Sequence, residues 1–393
     1  MIRGVILKLL LLTSLFFSAP RDTFWRDVGR LRHGEITDEE CDSAIKSAPT
    51  HYATFSISGT VYSNHGVTTV GSGYTVKCSL NGGAAVTTTT AAGGTFTFSG
   101  LNATAPTVCI FLASGQTYTG ASVYSVVGVS TSSTGFNVYH NTALAIKPTN
   151  NSGTNSIAKW NTAGGLADAG ISNIFAATST TITTASGVDF YVGPSATQTT
   201  VNNSTVTVSG SLYVAGTLSF TNLGSSLAVT GGVSIISGGT LSTTGNAMAV
   251  TCGGSWSNAG TFSAGTTSTV TLNGTGTQTI SGSTTFNNLV ITNSAGTIKV
   301  TDGTTQTFSA TQFTNCTITG TSTGGYTFAM PVAGSQTNSG ITLSYCTATG
   351  NQGVAGAGST DGGNNVNWTF GGGPPSTPAL PPTRIGISNG IRI

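Results

Sequence analysis

The side chains able to do chemistry in this 393-residue chain are few and unevenly placed. After residue 50 the carboxylates are Asp168, Asp189, Asp302 and Asp361, and the cations are Lys77, Lys147, Lys159, Lys299, Arg384 and Arg392. The histidines there are His51, His65 and His140. From Phe190 to Ile298, 109 residues pass without Asp, Glu, Lys, Arg or His. Polysaccharide hydrolases need paired carboxylates, and between residues 200 and 383 only Asp302 and Asp361 are present. A Ser–His–Asp triad would draw on His51, His65 or His140, in a region with no G-x-S-x-G. There is no EF-hand loop and no G-G-x-G-x-D calcium repeat. "TDGTT" (301–305) and "TDGGNN" (360–365) read as Asp-Gly turns rather than cation sites. The expectation is a protein that is not an enzyme, with no catalytic residue, no cofactor and no metal ligand set.

The thiols are the remaining reactive groups: Cys41, Cys78, Cys109, Cys252, Cys316 and Cys346. No C-x-x-C occurs, which removes zinc and thioredoxin-like readings. Cys78 and Cys109 fall in two strands, and Cys316 and Cys346 in the similar stretches "NCTIT" and "YCTAT". In an exported chain each couple is a candidate disulfide. The alternative for each is a small buried apolar side chain.

What positions so few groups is a chain rich in Gly, Ser, Thr and Asn, with 6% charged residues against about 25% in ordinary globular proteins. Residues 1–50 hold 7 of the 13 Lys/Arg and 7 of the 11 Asp/Glu. No basic stripe remains for nucleic-acid phosphates. Residues 1–20, with Arg3 and Lys8 before an apolar stretch from Leu9 to Phe17, read as a signal peptide or anchor. Removing them brings the formal charge to zero, which permits self-association. Residues 21–52 form a charged helical segment: Phe24, Val28 and Leu31 share one helix face, and "TDEE" (Thr37 to Glu40) is a capping box. Past residue 20 no apolar run reaches the roughly 18 residues that span a bilayer.

Residues 53–146 alternate apolar and polar between regular turn signals, as in "TFSISGTVYS" (54–63) and "GGTFTFSGL" (93–101), which argues for a β-sandwich. The stretch "SGTVYSNHGVTTVGSGYTVKCSLNGGAAVTTTTAAGGTFTFSGL" resembles the prealbumin-like, collagen-adhesin B-repeat type modules of bacterial surface proteins. That resemblance implies an Ig-like spacer. Some members form Lys–Asn isopeptide bonds; here Lys77 has no Glu to catalyse one, and the chemistry is not carried over. Residues 147–200 read as a transition, in which "NSIAKWNTAGGLADAGIS" resembles connectors of phage tail fibres.

From 201 to 370 the chain repeats. At a period of 21 residues Leu227 meets Met248, Val229 meets Val250, Ile235 meets Trp256, Gly239 meets Gly260 and Leu241 meets Phe262. Short strands with Gly/Asn turns at this period predict a β-solenoid, specifically a right-handed parallel β-helix. Stacking sets equivalent positions about 4.8 Å apart, where like charges face one another and Ser, Thr and Asn do not suffer. Asp302 and Asp361, 59 residues apart, then sit about 14 Å from one another along the axis, beyond the roughly 5–9.5 Å of a glycosidase pair. "TFNNLVITNSAGTIKV" and "GSWSNAGTFSAGTTSTVTLNGTGTQTISG" resemble the repeats of filamentous-haemagglutinin-like surface proteins. "STDGGNNVNWTF" (359–370) resembles their closing strand. Residues 371–393 form a Gly/Pro-rich linker and tail.

The fold expected is therefore all-β: a β-sandwich, then a β-solenoid, preceded by a short helical segment. The resemblances imply an exported, non-catalytic structural or adhesive protein at the cell surface. Its partners would be other surface proteins, glycans or its own copies, with no nucleic acid, and any membrane attachment would be through the N-terminus. Two alternatives stand beside it. One is a phage tail-fibre-like structural protein. The other is an ice- or glycan-binding solenoid using Thr arrays, such as "TVT" at 205 and 269, "TIT" at 317 and "TAT" at 347, although these are irregularly spaced.

Overall fold

The structure is a computed structural model, described over residues 54–102, 107–125, 132–149, 154–220, 223–245 and 247–371. The signal-peptide reading of 1–20, the helical reading of 21–52, Cys41 and the residues after 371 lie outside the described residues. The chain is all-β, and a parallel β-solenoid of about 10 turns runs from residue 121 to 361.

Alternation builds each coil. In Thr205–Val208 the two valines are fully buried while the threonines face out, the period-2 geometry of a pleated strand. Three strands per coil stack onto three sheets. The first sheet has eight strands, from Phe175–Ala177 to Ala310–Phe313. The second has fourteen, and its parallel part runs from Ala121–Ser125 to Thr360–Asp361. The third has five strands, Asn155–Ser156 through Thr261–Ala264, and a four-stranded sheet from Thr284–Thr285 to Cys346–Gly350 follows it. Their inward residues make one continuous core, in which Val206, Leu227, Val250, Val270 and Leu289 form one column.

The stacking register departs from the 21-residue reading on two of the three sheets. Leu241 lies over Phe262 as the period predicts. Val250, however, pairs with Leu227, and Val229 pairs with Cys252. Trp256 pairs with Val233 rather than Ile235. Turns of unequal length between strands absorb two residues, which a constant period does not register. A shift of two keeps every side chain on its face, whereas a shift of one would invert them, so the inward assignment of Val250 stands at 0% exposure.

Corners close through tight backbone approach. A Cβ on Gly260 would lie 2.4 Å from the carbonyl oxygen of Gly239 in the coil below. Asn203 turns with φ 55°, a left-handed conformation that Asn tolerates better than most residues. Buried amides tie coil to coil: Gln278 Nε2 donates to the carbonyls of Cys252 (3.0 Å) and Gly254 (2.6 Å), and its Oε1 accepts from Gly274 N (3.0 Å).

The N-terminal part is a two-layer sandwich. A sheet of three strands, Phe55–Tyr62 between Thr95–Leu101 and Val138–Tyr139, packs on antiparallel strands Thr75–Leu80, Val86–Thr89, Thr107–Leu112 and Ala121–Ser125. Those four strands are the start of the fourteen-stranded sheet, so sandwich and solenoid share a sheet. Thr107–Leu112 is buried along its whole length. Val108, Ile110 and Leu112 serve the sandwich core; Cys109 and Phe111 serve the solenoid core. A strand covered on both faces reads as a continuous apolar run.

Helix α1 (Ile157–Gly164) packs over the first coil. Ile157, Trp160 and Ala163 are buried, at a spacing that keeps them on one helix face. Trp160 meets Phe175 edge-on at 4.8 Å and Phe190 at 5.3 Å, and its Nε1 donates to Gln198 Oε1 at 2.8 Å. At the other end Trp368–Phe370 pairs with Gly353–Ala355, and Trp368 and Phe370 pack half-buried on the core.

Candidate functional site

Each described carboxylate is occupied with holding the fold. Asp168 caps α2 (Ala169–Ser172) by accepting from Gly170 N at 2.8 Å, and it pairs with Lys77 Nζ at 2.7 Å. Burial works against its ionisation, but the Lys77 and Gly170 hydrogen bonds prevail and hold the carboxyl below its ordinary range. Lys77 also lies 5.8 Å from the Phe111 ring centroid. Asp189 accepts from Ser211 N, one coil on, at 2.7 Å and meets His65 Nε2 at 3.3 Å.

Asp302 and Asp361 sit in the Asp-Gly turns. Asp302 accepts from Ser322 N (3.1 Å), Gly324 N (3.0 Å) and Thr321 Oγ1 (3.2 Å) and from the Ser322 hydroxyl, all in the next coil. The Ser322 bonds are foremost in lowering its pKa. Asp361 accepts from Gly363 N at 2.9 Å and Asn365 Nδ2 at 2.6 Å. The four carboxylates are thus distributed along the stack as single ties. Among the described residues no three His, Cys, Asp or Glu side chains gather into a metal-binding group.

His140 accepts from Thr119 N at Nδ1 (3.2 Å) and meets Tyr118 edge-on. His65 stands in a group of rings: Tyr213 at 4.3 Å, Tyr191 at 5.3 Å and Tyr139 at 6.3 Å. Tyr139 and Tyr191 are buried there, so the rings pack the seam between sandwich and solenoid. Sequence reasoning missed the Lys77–Asp168 and His65–Asp189 contacts, which span 91 and 124 residues. The one local signal was Asp168 before "AGIS", an N-cap position.

The five described cysteines are free and buried. Cys78 faces Ile110 across the ladder and Cys109 faces Ser79. Neighbouring positions along a strand point to opposite faces, so Cys78 lies in the sandwich core and Cys109 in the solenoid core. Cys346 begins a strand beside Tyr326, whereas Cys316 precedes Thr317–Gly320 in the fourteen-stranded sheet. Burial pushes the Cys78, Cys316 and Cys346 thiols up to about 12, and Cys252 to about 11. Burial thus disfavours the thiolate, the form in which a cysteine acts as nucleophile or metal ligand.

An open groove of about 340 Å³ lies on the first sheet, lined by Ala228, Thr230, Thr251, Gly253, Asn273 and Thr275 among others. No titratable group lines it. No family model matches the chain, and neither a curated protein nor a solved structure does.

Proposed function

We propose that the chain is a non-catalytic, exported structural protein of the cell surface, of adhesin type, in which the sandwich is a spacer and the solenoid a shaft. The observation that carries this reading is the stack of about 10 turns on one continuous core. At about 4.8 Å per coil such a stack extends some 48 Å. The single-tie arrangement of Asp168, Asp189, Asp302 and Asp361 supports a non-catalytic role, because acid–base chemistry on a polysaccharide needs carboxylates that converge. The leader-like residues 1–20 and the two family resemblances support export. Partners of such a shaft are other surface proteins, glycans or further copies of itself, and any membrane attachment is through the N-terminus.

Surface labelling tests the location. Intact cells expressing the full chain, treated with an external protease and probed for the solenoid, should lose the signal. Full protection in intact cells, with digestion only after lysis, would overturn the export reading. A polysaccharide turnover screen tests the other half: turnover that disappears in Asp302→Asn or Asp361→Asn would sink the non-catalytic reading.

A further inference from the structure

The third sheet carries a pattern that the other two lack. Its strands read Thr-Gln-Thr (197–199), Thr-Leu-Ser (217–219), Thr-Leu-Ser (240–242) and Thr-Phe-Ser (261–263). The register stacks Thr197, Thr217, Thr240 and Thr261 in one outward column, and Thr199, Ser219, Ser242 and Ser263 in a second. The four-stranded sheet that follows resumes it: Thr305, Thr327 and Thr347 align, with Thr307, Ala329 and Thr349 beside them. The middle residue of each triplet points into the core, Leu218 and Leu241 being fully buried.

Some threonine hydroxyls elsewhere are used inside the chain, while among the described residues those of Thr207, Thr251 and Thr271 on the first sheet are free as well. Thr184 Oγ1 donates to the Val188 carbonyl at 2.8 Å, and Thr304 Oγ1 to the Thr301 carbonyl at 2.6 Å. Among the described residues the hydroxyls of Thr217, Thr240, Thr261, Thr327 and Thr347 have no hydrogen-bond partner in the chain. The first column therefore presents free threonine hydroxyls, each with its methyl group, about 4.8 Å apart between coils; the second, about 6.6 Å away along each strand, is mostly serine, and in it Thr199 Oγ1 donates to the Asn155 carbonyl while Ser242 Oγ bonds to Thr244 Oγ1. The irregular "TVT", "TIT" and "TAT" spacings have a simple origin. Those at 205 and 269 lie on the first sheet, that at 317 on the second, and that at 347 on the four-stranded sheet.

We propose that this flank binds the surface of ice. The oxygens of an ice prism face repeat on a rectangular net whose short and long edges are close to the two spacings of the flank. The hydroxyls can then occupy lattice positions while the methyl groups of the threonine column exclude mobile water between them. Charge complementarity agrees, because these columns hold no ionic side chain, whose tightly bound hydration would disturb the lattice. A crystalline polysaccharide is the weaker fit, since a sugar ring packs best on an aromatic face and neither column offers one. The other flanks are mixed: the first sheet shows Thr207, Ala228, Thr251, Thr271, Val290 and Gln312 in one column, and the second carries Tyr213 and Lys299. Ice binding deepens the shaft reading by giving the shaft a target. It is measured on purified protein, so its failure would leave the evidence for export and for a shaft as it stands.

The experiment is ice partitioning of the purified full chain during slow growth of a polycrystalline hemisphere. The wild type and Thr251→Tyr, on the first sheet, should be enriched in the ice fraction severalfold over serum albumin. Thr240→Tyr, which raises a ring from the centre of the net, should lose most of that enrichment while keeping its circular-dichroism spectrum. Thr327→Lys repeats the test on the distal array if Thr240→Tyr fails to fold. Wild-type protein excluded from ice like albumin, or folded flank variants retained like wild type, would overturn the proposal. So would retention on crystalline cellulose without enrichment in ice.

Discussion

The outer surface of the fourteen-stranded sheet changes character along one column. Leu144, Tyr191 and Tyr213 stack in register and pack beneath the sandwich. The next members of the same column are Ser234, Ser257 and Ser281, and none of the three belongs to a hydrophobic cluster. Backbone geometry is the same along the column, and what changes is whether another layer lies on it. Apolar area is worth about 25 cal/mol per Å² only when it leaves water, so large side chains occupy the covered stretch and small hydroxyls the bare one. The inward column shows no such break: Phe190, Leu212, Val233, Trp256 and Ile280 are all buried.

The strongest test of the inward column is Val250→Lys. Val250 has 0% exposure and sits between Leu227 and Val270, and no carboxylate stands between Phe190 and Lys299 to receive an ammonium. An unpaired buried charge should cost several kcal/mol, enough to abolish the cooperative melting transition of the full chain. A transition within a degree of wild type would mean that Val250 does not face the core.

Next in size is Trp160→Ala. It removes a fully buried indole from the end of the coil stack and leaves Gln198 Oε1 without its donor. A loss of about 3–5 kcal/mol is expected, read as a drop in the denaturation midpoint. Trp368→Ala, at the half-buried opposite end, should cost clearly less; the reverse order would show that α1 is not the more important closure.

How far the sequence foretold this follows from what each feature depends on. The solenoid was legible because alternation and near-constant coil length are local: Thr205–Val208 declares its faces by itself. The stacking of Leu241 on Phe262 followed from the same count. The two-residue offset that puts Val250 over Leu227 was not legible, because it resides in turn lengths on either side of a strand that matches well at both offsets. The candidate site was less legible still. The apolar run 108–112 is the signal of a strand covered on both faces, but nothing near Cys109 announces that Cys78 lies on the other one. His65 meets Asp189 only because the sandwich folds back over the sheet. The hydroxyl net was hidden because Thr-x-Ser and Thr-x-Thr count as one pattern only when the register is known.

The seam gives a reciprocal pair of smaller effects. Tyr213→Ser strips a ring from the covered stretch, where Tyr191 stacks on it at 6.0 Å and His65 meets it at 4.3 Å. Stability should fall by about 1–2 kcal/mol. Ser234→Tyr makes the opposite change one coil on and should alter the melting temperature far less. Equal losses would mean that the cover extends past Ser234.

Acid should act on the sandwich side first through Asp168. Its carboxyl is held below the ordinary range by Lys77 and Gly170 against the effect of burial. A carboxyl whose folded pKa is depressed contributes stability above its unfolded pKa, and that stability is lost as pH falls through the folded value. Lys77→Met removes the strongest partner and leaves the desolvation, so the acid-induced loss should begin at higher pH, with about 1 kcal/mol lost at neutrality. An unchanged acid midpoint in Lys77→Met would show that the pair at 2.7 Å does not set the ionisation of Asp168.

The smallest expected effect is the most exacting. Thr251 follows Val250 in the same strand, and its side chain faces out beside Ala228 and Thr271. Thr251→Lys puts the same ammonium one residue along the chain, in solvent, where its stem can lie along the groove floor and its charge stay hydrated. The cost should stay within about 0.5 kcal/mol. No other cation lies on the neighbouring coils to repel it, the nearest in sequence being Lys299. Thermal unfolding of the full chain compares the two variants. If Thr251→Lys were as damaging as Val250→Lys, charge itself would be excluded from this stretch, and the absence of ionic residues from Phe190 to Ile298 would reflect something lying on the outer surface. If it is silent, one lysine is tolerated there. The charge-free stretch is then a consequence of stacking, in which the same cation repeated coil after coil at about 4.8 Å would repel its copies although a single one does not.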